Sequence, residues 1–456
     1  MNPLWTAGEL RAATGGTLDG DVLVGGVAID SRAVGPGDLF VALRDARDGH
    51  DFVPSALAQG AAAAMVDRDV AGGPLLRVAD TLAGLAALGA AGRARSTARI
   101  VAVTGSVGKT TTKDMLRHGL AHFGETHAAV ASYNNHWGLP LTLARMPRGT
   151  AFGVLEIGMN HRGEIAPLAR LARPHVALIT QVGAAHIGHL GSLEDIAAEK
   201  ADILEGLSAG GTAVLPRDSE FFPMLAQRAR AAGAAVIGFG EDAAAEARLL
   251  SADCGPLSST AEVTLNGTRL ALSIGAPGRH LVVNALAGLA AAAALGVDPA
   301  GFARALASFR PGAGRGARVT LQVPGGEALL LDESYNGQPP AMRAALAVLG
   351  TQPGARRIAV LGDMRELGDF GPALHEGLLP DVSRSADLVF CCGPLMRGLY
   401  DALPATLRGA HTHTSEALAP LVRAAVRAGD VVLVKGSLGT RMAAVVGALK
   451  FEGAHP

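Results

Sequence analysis

The densest chemistry in the chain lies in TGSVGKTTT at 104–112. An apolar run, Ile100 to Val103, precedes it, and a helical stretch, TTTKDMLRHGLAHFG, follows. Strand, glycine loop and helix start, in that order, are the context a phosphate-binding loop requires. Gly105 and Gly108 let backbone N–H groups approach phosphate oxygens, and the helix start adds a favourable dipole. Lys109 supplies charge for the β- and γ-phosphates, and the Thr110 hydroxyl can ligate magnesium. Gly105, Ser106, Val107, Gly108, Lys109, Thr110 and Thr111 are therefore the candidate phosphate binders. The full pattern asks for glycine at 103, where this chain has Val103, so the match is to the shorter T-G-x-x-G-K-T form. Such a loop says nucleotide without saying which reaction.

Other polar groups stand at the ends of apolar runs. Glu156 ends VLEI, where a strand-end carboxylate of an open α/β sheet can enter the ligand crevice; it is either a magnesium ligand or a solvated acid. His186 follows the strand VALI and is either a metal ligand or a packing residue. Lys200 lies on a helical stretch among Ile196, Ala197, Ala201, Ile203 and Leu204; taken alone it reads as a snorkelling lysine. Asp332, Asp363 and Lys435 end three later apolar runs, and three such ends on one sheet would make a binding crevice.

The elements that must position these groups follow an alternating pattern. Strand runs at 100–103, 154–157, 176–179 and 212–215 alternate with helical stretches, which implies a parallel sheet covered on both faces. A hairpin with Asn-Gly at its turn is predicted over 261–275, and an Ala-rich helix over 281–295. The breaker-rich segment FRPGAGRGARV (309–319) is a junction. Beyond it, strands at 328–331, 358–361, 388–391 and 431–434 and helices at 341–349, 415–428 and 439–449 form a second, smaller unit. The first hundred residues have shorter apolar pieces, a helix at 82–95 and a possible linker from Arg93 to Arg99.

At about 150 residues per domain, 456 residues predict three. The reading is an α/β protein with a small mixed N-terminal domain (1–96), a central parallel-sheet P-loop domain (97–310) and a C-terminal Rossmann-like domain (311–456). Lys+Arg 40 against Asp+Glu 41, with only 4% aromatic residues, argues against a nucleic-acid binder. Three cysteines cannot make a disulfide framework and fit a reducing compartment. No signal-peptide pattern opens the chain, and the longest apolar stretch (285–297) is too short to span a bilayer. A cytoplasmic protein with no membrane insertion is expected.

The motifs together resemble the Mur ligases, the ATP-dependent ligases of peptidoglycan precursor synthesis. TGSVGKTTT, EIGMN, AHIGHLGS, EKADIL, GRHLVVNALAG, GAGRG and DESYNGQP follow in the family's order. The N-terminal DSRAVGPGDLFVALRDARDGHDFVPSALAQGA and the later VLGDMRELGD, with His375 following, and VKGSLGTRM bring the chain nearest to the branch that joins D-alanyl-D-alanine to UDP-MurNAc-tripeptide. The D-N-P-R signature of a single-amino-acid branch is absent.

The resemblance implies ATP and two magnesium sites, with Thr110, Glu156, His186 and a carbamylated Lys200 as metal ligands. It places Asn284, Arg315, Asn336 and Asp332 at ATP, and Lys109, Lys200, His186 and Lys435 in catalysis. Ser31 and Arg32 would lie by the uridine diphosphate, and Asn134 and Asn135 by the nucleotide-sugar or nucleotide. A monomer is expected. The sequence departs from the family where Gly188 stands for Glu, Gln338 for Asn and Asp202 for Glu. A related ligase adding one amino acid, or a nucleotide-binding regulator without turnover, are the alternatives.

Overall fold

The computed structural model describes residues 3–130 and 132–450, and each of three principal sheets takes up one stretch of sequence. The first is five-stranded, in the order Thr17–Leu18, Leu75–Arg77, Ala63–Val66, Asp38–Val41, Gly26–Ala28. Helix α1 (Thr81–Ala94) leaves it, capped by the Asp80 side chain accepting from Ala83 N–H.

Nine strands form the central sheet. Its functional half holds β1 (Arg99–Thr104), helix α2 (Lys109–Leu120), helix α3 (Gly138–Ala144), β2 (Phe152–Glu156), β3 (Val176–Ile179) and helix α4 (Leu193–Ala201). Helix α5 (Arg279–Ala294) packs across the sheet. Strand β1 lies between β2 and β3, parallel to both. From Ile100 on, β1 is buried, as are all of β2 and β3, because helices cover both faces. Alternation along β1 divides its side chains: Ile100 and Ala102 enter one core, Val101 and Val103 the other. Glu156 pairs in register with Val103, and Ile179 with Thr104, so the phosphate loop, Glu156 and Thr180 emerge at one edge.

The third sheet is six-stranded. It includes β4 (Gly326–Glu333), followed by helix α6 (Pro339–Gly350), β5 (Arg357–Gly362) and β6 (Val431–Lys435). Strand β6 is central, parallel to β4 and β5, and pairs Lys435 with Glu333. Among the described residues, no helix is long and apolar enough to cross a membrane.

The Asn266-Gly267 hairpin turn forms between Ser259–Leu265 and Thr268–Ile274, with both turn residues at positive φ. The stretch from Arg93 to Arg99 is not a loose linker. Arg93 is 8% exposed, still in α1, and donates from Nε to Ala172 O (2.8 Å) and from Nη2 to Arg173 O (2.8 Å). Beside it, α1 meets α3 backbone to backbone. A Cβ on Gly89 would stand 2.8 Å from Pro140 O, and one on Gly92 would stand 2.4 Å from Leu143 O. The first two domains are thus clamped by a buried guanidinium and a glycine seam.

Candidate active site

The phosphate loop has the conformation its glycines permit. Gly105 has φ 146°, and a Cβ there would fall 2.0 Å from Thr180 Oγ1; Gly108 has φ 85° at the start of α2. Thr180 donates to Val107 O (2.6 Å), and Ser106 donates to Gly183 O (2.8 Å). The segment that leaves β3 therefore holds the loop at both Ser106 and Val107. Lys109 Nζ donates to Gly105 O (2.7 Å), folding its ammonium over the loop. Burial lowers its pKa, and Glu156 opposes that shift. Asn284 of α5 comes against the loop at Gly108, where a Cβ would stand 2.8 Å from Asn284 Oδ1.

Glu156 is 1% exposed, and both its oxygens are engaged. Thr110 Oγ1 donates to Oε2 (2.8 Å), and Asn134 Nδ2 donates to Oε1 (2.7 Å). A buried carboxylate beside a phosphate-loop hydroxyl is a set of hard oxygen donors, the chemistry that suits magnesium. Among the described residues no group of three His, Cys, Asp or Glu side chains is close enough to hold a metal. Oxygens from a nucleotide and from water would have to complete such a shell.

The third domain reaches the same place. Arg315 Nη2 donates to Ser132 Oγ (2.8 Å), beside Thr110, while its guanidinium lies over the Tyr335 ring. His186 Nδ1 stands 2.7 Å from Glu366 Oε2, and Gly188 N–H donates to Glu366 O (3.1 Å). The His186 ring holds the Glu366 carboxyl below its ordinary range, despite burial. A Cβ on Gly188 would stand 2.6 Å from Gly368 N, so the departure from glutamate there lets two loops touch. Lys435 Nζ donates to Glu333 Oε2 (3.0 Å) and Asn336 O (3.0 Å). Between these groups lies a cavity of about 990 Å³, lined by Ser106–Thr111, Asn134, Asn135, Glu156, His186, Asn284, Arg315, Asn336 and Lys435.

Other candidates stand elsewhere. Lys200 does not line the cavity; it is 1% exposed, and burial, with help from Lys109, lowers its pKa well below the ordinary lysine value. Asp332 is not at the cavity surface. Its carboxylate accepts from Ser334 N–H and Oγ and lies 3.6 Å from Lys450 Nζ. Asp363 accepts from Met396 N–H (2.8 Å) and also lies outside the lining. Of the three expected strand ends only Lys435 lines the cavity; the two carboxylates are engaged by Ser334 and by Met396 N–H. Ser31 and Arg32 belong to the first domain and do not line this cavity; Arg32 pairs with Asp30 at 2.6 Å. Asp202 pairs with Arg228 at 2.6 Å. Sequence reasoning gave no role to Ser132, Thr180 or Glu366. Thr180 directly follows the strand VALI, which was the available signal.

A strand-loop-helix phosphate site facing polar groups from a second, mainly parallel sheet defines a nucleotide-dependent enzyme built on three α/β domains. The Mur ligase middle domain model matches residues 103–292. The model of the Mur ligase family catalytic domain matches 23–91, and that of the Mur ligase glutamate ligase domain matches 315–438. The chain is 36% identical over 451 residues to the UDP-N-acetylmuramoyl-tripeptide–D-alanyl-D-alanine ligase of Synechocystis sp., covering 95% of this chain and 94% of that protein. It is 34% identical over 464 residues to the Escherichia coli ligase of the same name, covering 98% and 99%. The crystal structure of MurF from Acinetobacter baumannii superposes with a TM-score of 0.86 at 30% identity, covering 98% of each chain. That of Thermotoga maritima MurF in complex with ADP gives 0.78 at 28% identity, covering 93% and 97%. The chain belongs to the Mur ligase family.

Proposed function

We infer that this enzyme joins D-alanyl-D-alanine to UDP-MurNAc-tripeptide at the expense of ATP, the last peptide extension of the peptidoglycan precursor. The observation that carries the reading is that one cavity holds the phosphate loop and Glu156 on one wall and Lys435 and Asn336 on the other. A carboxylate is a poor electrophile, and condensing it with an amine in water is uphill. Transfer of the γ-phosphoryl group makes an acyl phosphate, which the amine then attacks to release inorganic phosphate. Lys109 and the loop amides reduce the repulsion between carboxylate and triphosphate.

Thr110 and Glu156 would hold magnesium, which supplies charge neutralisation at the transferring oxygens. His186 stands ready to join that set once Glu366 moves. Lys200, buried and inclined to the neutral amine, is suited to capture carbon dioxide; the carbamate would add an oxygen donor and a negative charge that Lys109 offsets. Asn284 would contact the nucleoside, and Arg315 the phosphates. Ser31 and Arg32 would hold the uridine diphosphate, and Asn135 the nucleotide-sugar. Asp332 would act by shaping the turn at Ser334. The domains would divide at 96/97 and 310/311, and the enzyme would work as a cytoplasmic monomer. Acyl phosphates hydrolyse readily, so the contacts of Arg315 with Ser132 and of Gly188 with Glu366 serve to keep water out.

The test is phosphate release from ATP with UDP-MurNAc-tripeptide, magnesium and a panel of amines. D-alanyl-D-alanine should support release, and single amino acids should not. Release with a single amino acid alone, or none with any amine, would reject the reading.

A further inference from the structure

Resting on that reading, we propose that the side-chain amide of Gln338 receives the amine of the incoming dipeptide. Gln338 is 3% exposed, yet lines the cavity, and its Oε1 is buried and accepts no hydrogen bond from the described residues. A buried carbonyl oxygen without a donor opposes folding. Its retention at a cavity wall points to a donor that comes with a ligand.

The surrounding backbone is already occupied. Asn336 O accepts from Lys435 Nζ (3.0 Å), Gly337 O from Ser437 Oγ (3.0 Å) and Gln338 O from Met342 N–H (2.9 Å). Asn336 Oδ1 accepts from Gly337 N–H (2.8 Å), so the segment is fixed while Gln338 Oε1 is left without a donor. Nor does that side chain serve helix α6: it makes no capping bond, and Pro339 and Pro340 open the helix without N–H groups to cap. Pro340 lies 3.8 Å from where a Cβ on Gly183 would stand, and Gly183 N–H donates to Ser106 Oγ (2.9 Å). Helix α6 thus starts beside the phosphate loop, and Gln338, the residue just before that start, lines the cavity.

The chemistry of the reactants selects among them. Of the groups that meet at the reacting carbon, the phosphate and carboxylate oxygens only accept, so neither satisfies Oε1. The dipeptide amine must bring N–H donors to the reacting carbon. One N–H held by Gln338 leaves the nitrogen lone pair free to face that carbon, an orienting role. An amide takes no proton at neutral pH, so Gln338 is not a base.

Gln338→Leu keeps the shape and removes the acceptor. The expected result is a KM for D-alanyl-D-alanine raised about ten- to a hundredfold, as for one hydrogen bond to an amine or ammonium. KM for ATP and for UDP-MurNAc-tripeptide should stay within about twofold of wild type on the same ground, since neither loses a bond. Hydroxylamine capture of the activated acyl group, measured without dipeptide, should proceed at the wild-type rate. The thermal midpoint should be unchanged or higher, because an unsatisfied polar group has gone. Gln338→Met, which removes the acceptor on an unbranched stem of similar length, should show the same rise and carries the test if the leucine variant does not fold. A dipeptide KM within twofold of wild type would overturn the proposal. So would a rise in the ATP or tripeptide KM, which would make the amide a phosphate or acyl ligand. Failure of wild-type enzyme to release phosphate with the dipeptide would instead reject the underlying function, and is seen before any variant is made.

Discussion

Replacing Lys200 by methionine separates the chemical role of this residue from its packing. Lys200 is 1% exposed, so its four-carbon stem is core, and methionine nearly preserves the volume. Volume-conserving changes of that kind cost less than about 1.5 kcal/mol, whereas Lys200→Ala would leave a cavity costing about 2–4 kcal/mol. Burial lowers the ammonium pKa. The folded state then binds fewer protons than the unfolded chain over the window between the lowered value and about 10.4, so wild-type stability rises with pH across that window. The methionine variant lacks that rise. In carbon-dioxide-free buffer near neutrality it should be at least as stable as wild type. Its turnover should nevertheless fall by more than about a hundredfold, roughly 2.7 kcal/mol of lost transition-state stabilisation. Phosphate release with and without added bicarbonate, alongside thermal unfolding, measures both. Wild type should respond to bicarbonate and the variant should not; a small carboxylic acid should partly restore Lys200→Ala. A folded Lys200→Met enzyme with wild-type turnover would refute the carbamate reasoning.

Gly105→Ala adds a Cβ 2.0 Å from Thr180 Oγ1 at a φ of 146°, a conflict worth about 1–3 kcal/mol of strain; ATP affinity by calorimetry should fall by about ten- to a hundredfold. Arg93→Met removes the donors to one buried and one part-buried carbonyl, 79 and 80 residues away, and denaturant unfolding should show a loss of about 2–4 kcal/mol. His375 is buried, donating from Nδ1 to Gly371 O (2.6 Å) and accepting Met364 N–H at Nε2 (2.8 Å). Burial lowers its pKa, so its contribution is intact above about 6.5 and is lost as pH falls toward the folded value. Stability against pH should therefore decline below that point, and less steeply in His375→Gln.

Much of the scaffold was legible because buried parallel strands are continuous apolar runs bounded by breakers. Val176–Ile179 was read to the residue, and the Asn266-Gly267 turn announced its hairpin. The strands that escaped notice are half-exposed, one inside the central sheet and one at the edge of the third. Ala247–Cys254 and Ala317–Val323 mix buried and exposed positions and lack a clear apolar face. The phosphate loop was legible because its chemistry is local. Arg93 was not, since a linker and a buried clamp share one composition and differ only in partners about 80 residues away. Asp332, Asp363 and Lys435 looked alike as polar strand ends. Only the fold shows that Ser334 and Met396 N–H claim the first two, leaving Lys435 at the cavity. Lys200 needed burial, which no neighbouring residue reports, to change from a snorkelling cation into a reactive amine.

The central claim is that the tripeptide carboxylate is phosphorylated before the amine attacks. Labelling that carboxylate with oxygen-18 and measuring the inorganic phosphate by mass spectrometry tests it directly. Phosphate released with ATP and D-alanyl-D-alanine should carry one labelled oxygen, drawn from the cleaved acyl–phosphate bond. Unlabelled phosphate, formed at the same rate as the peptide product, would contradict the account.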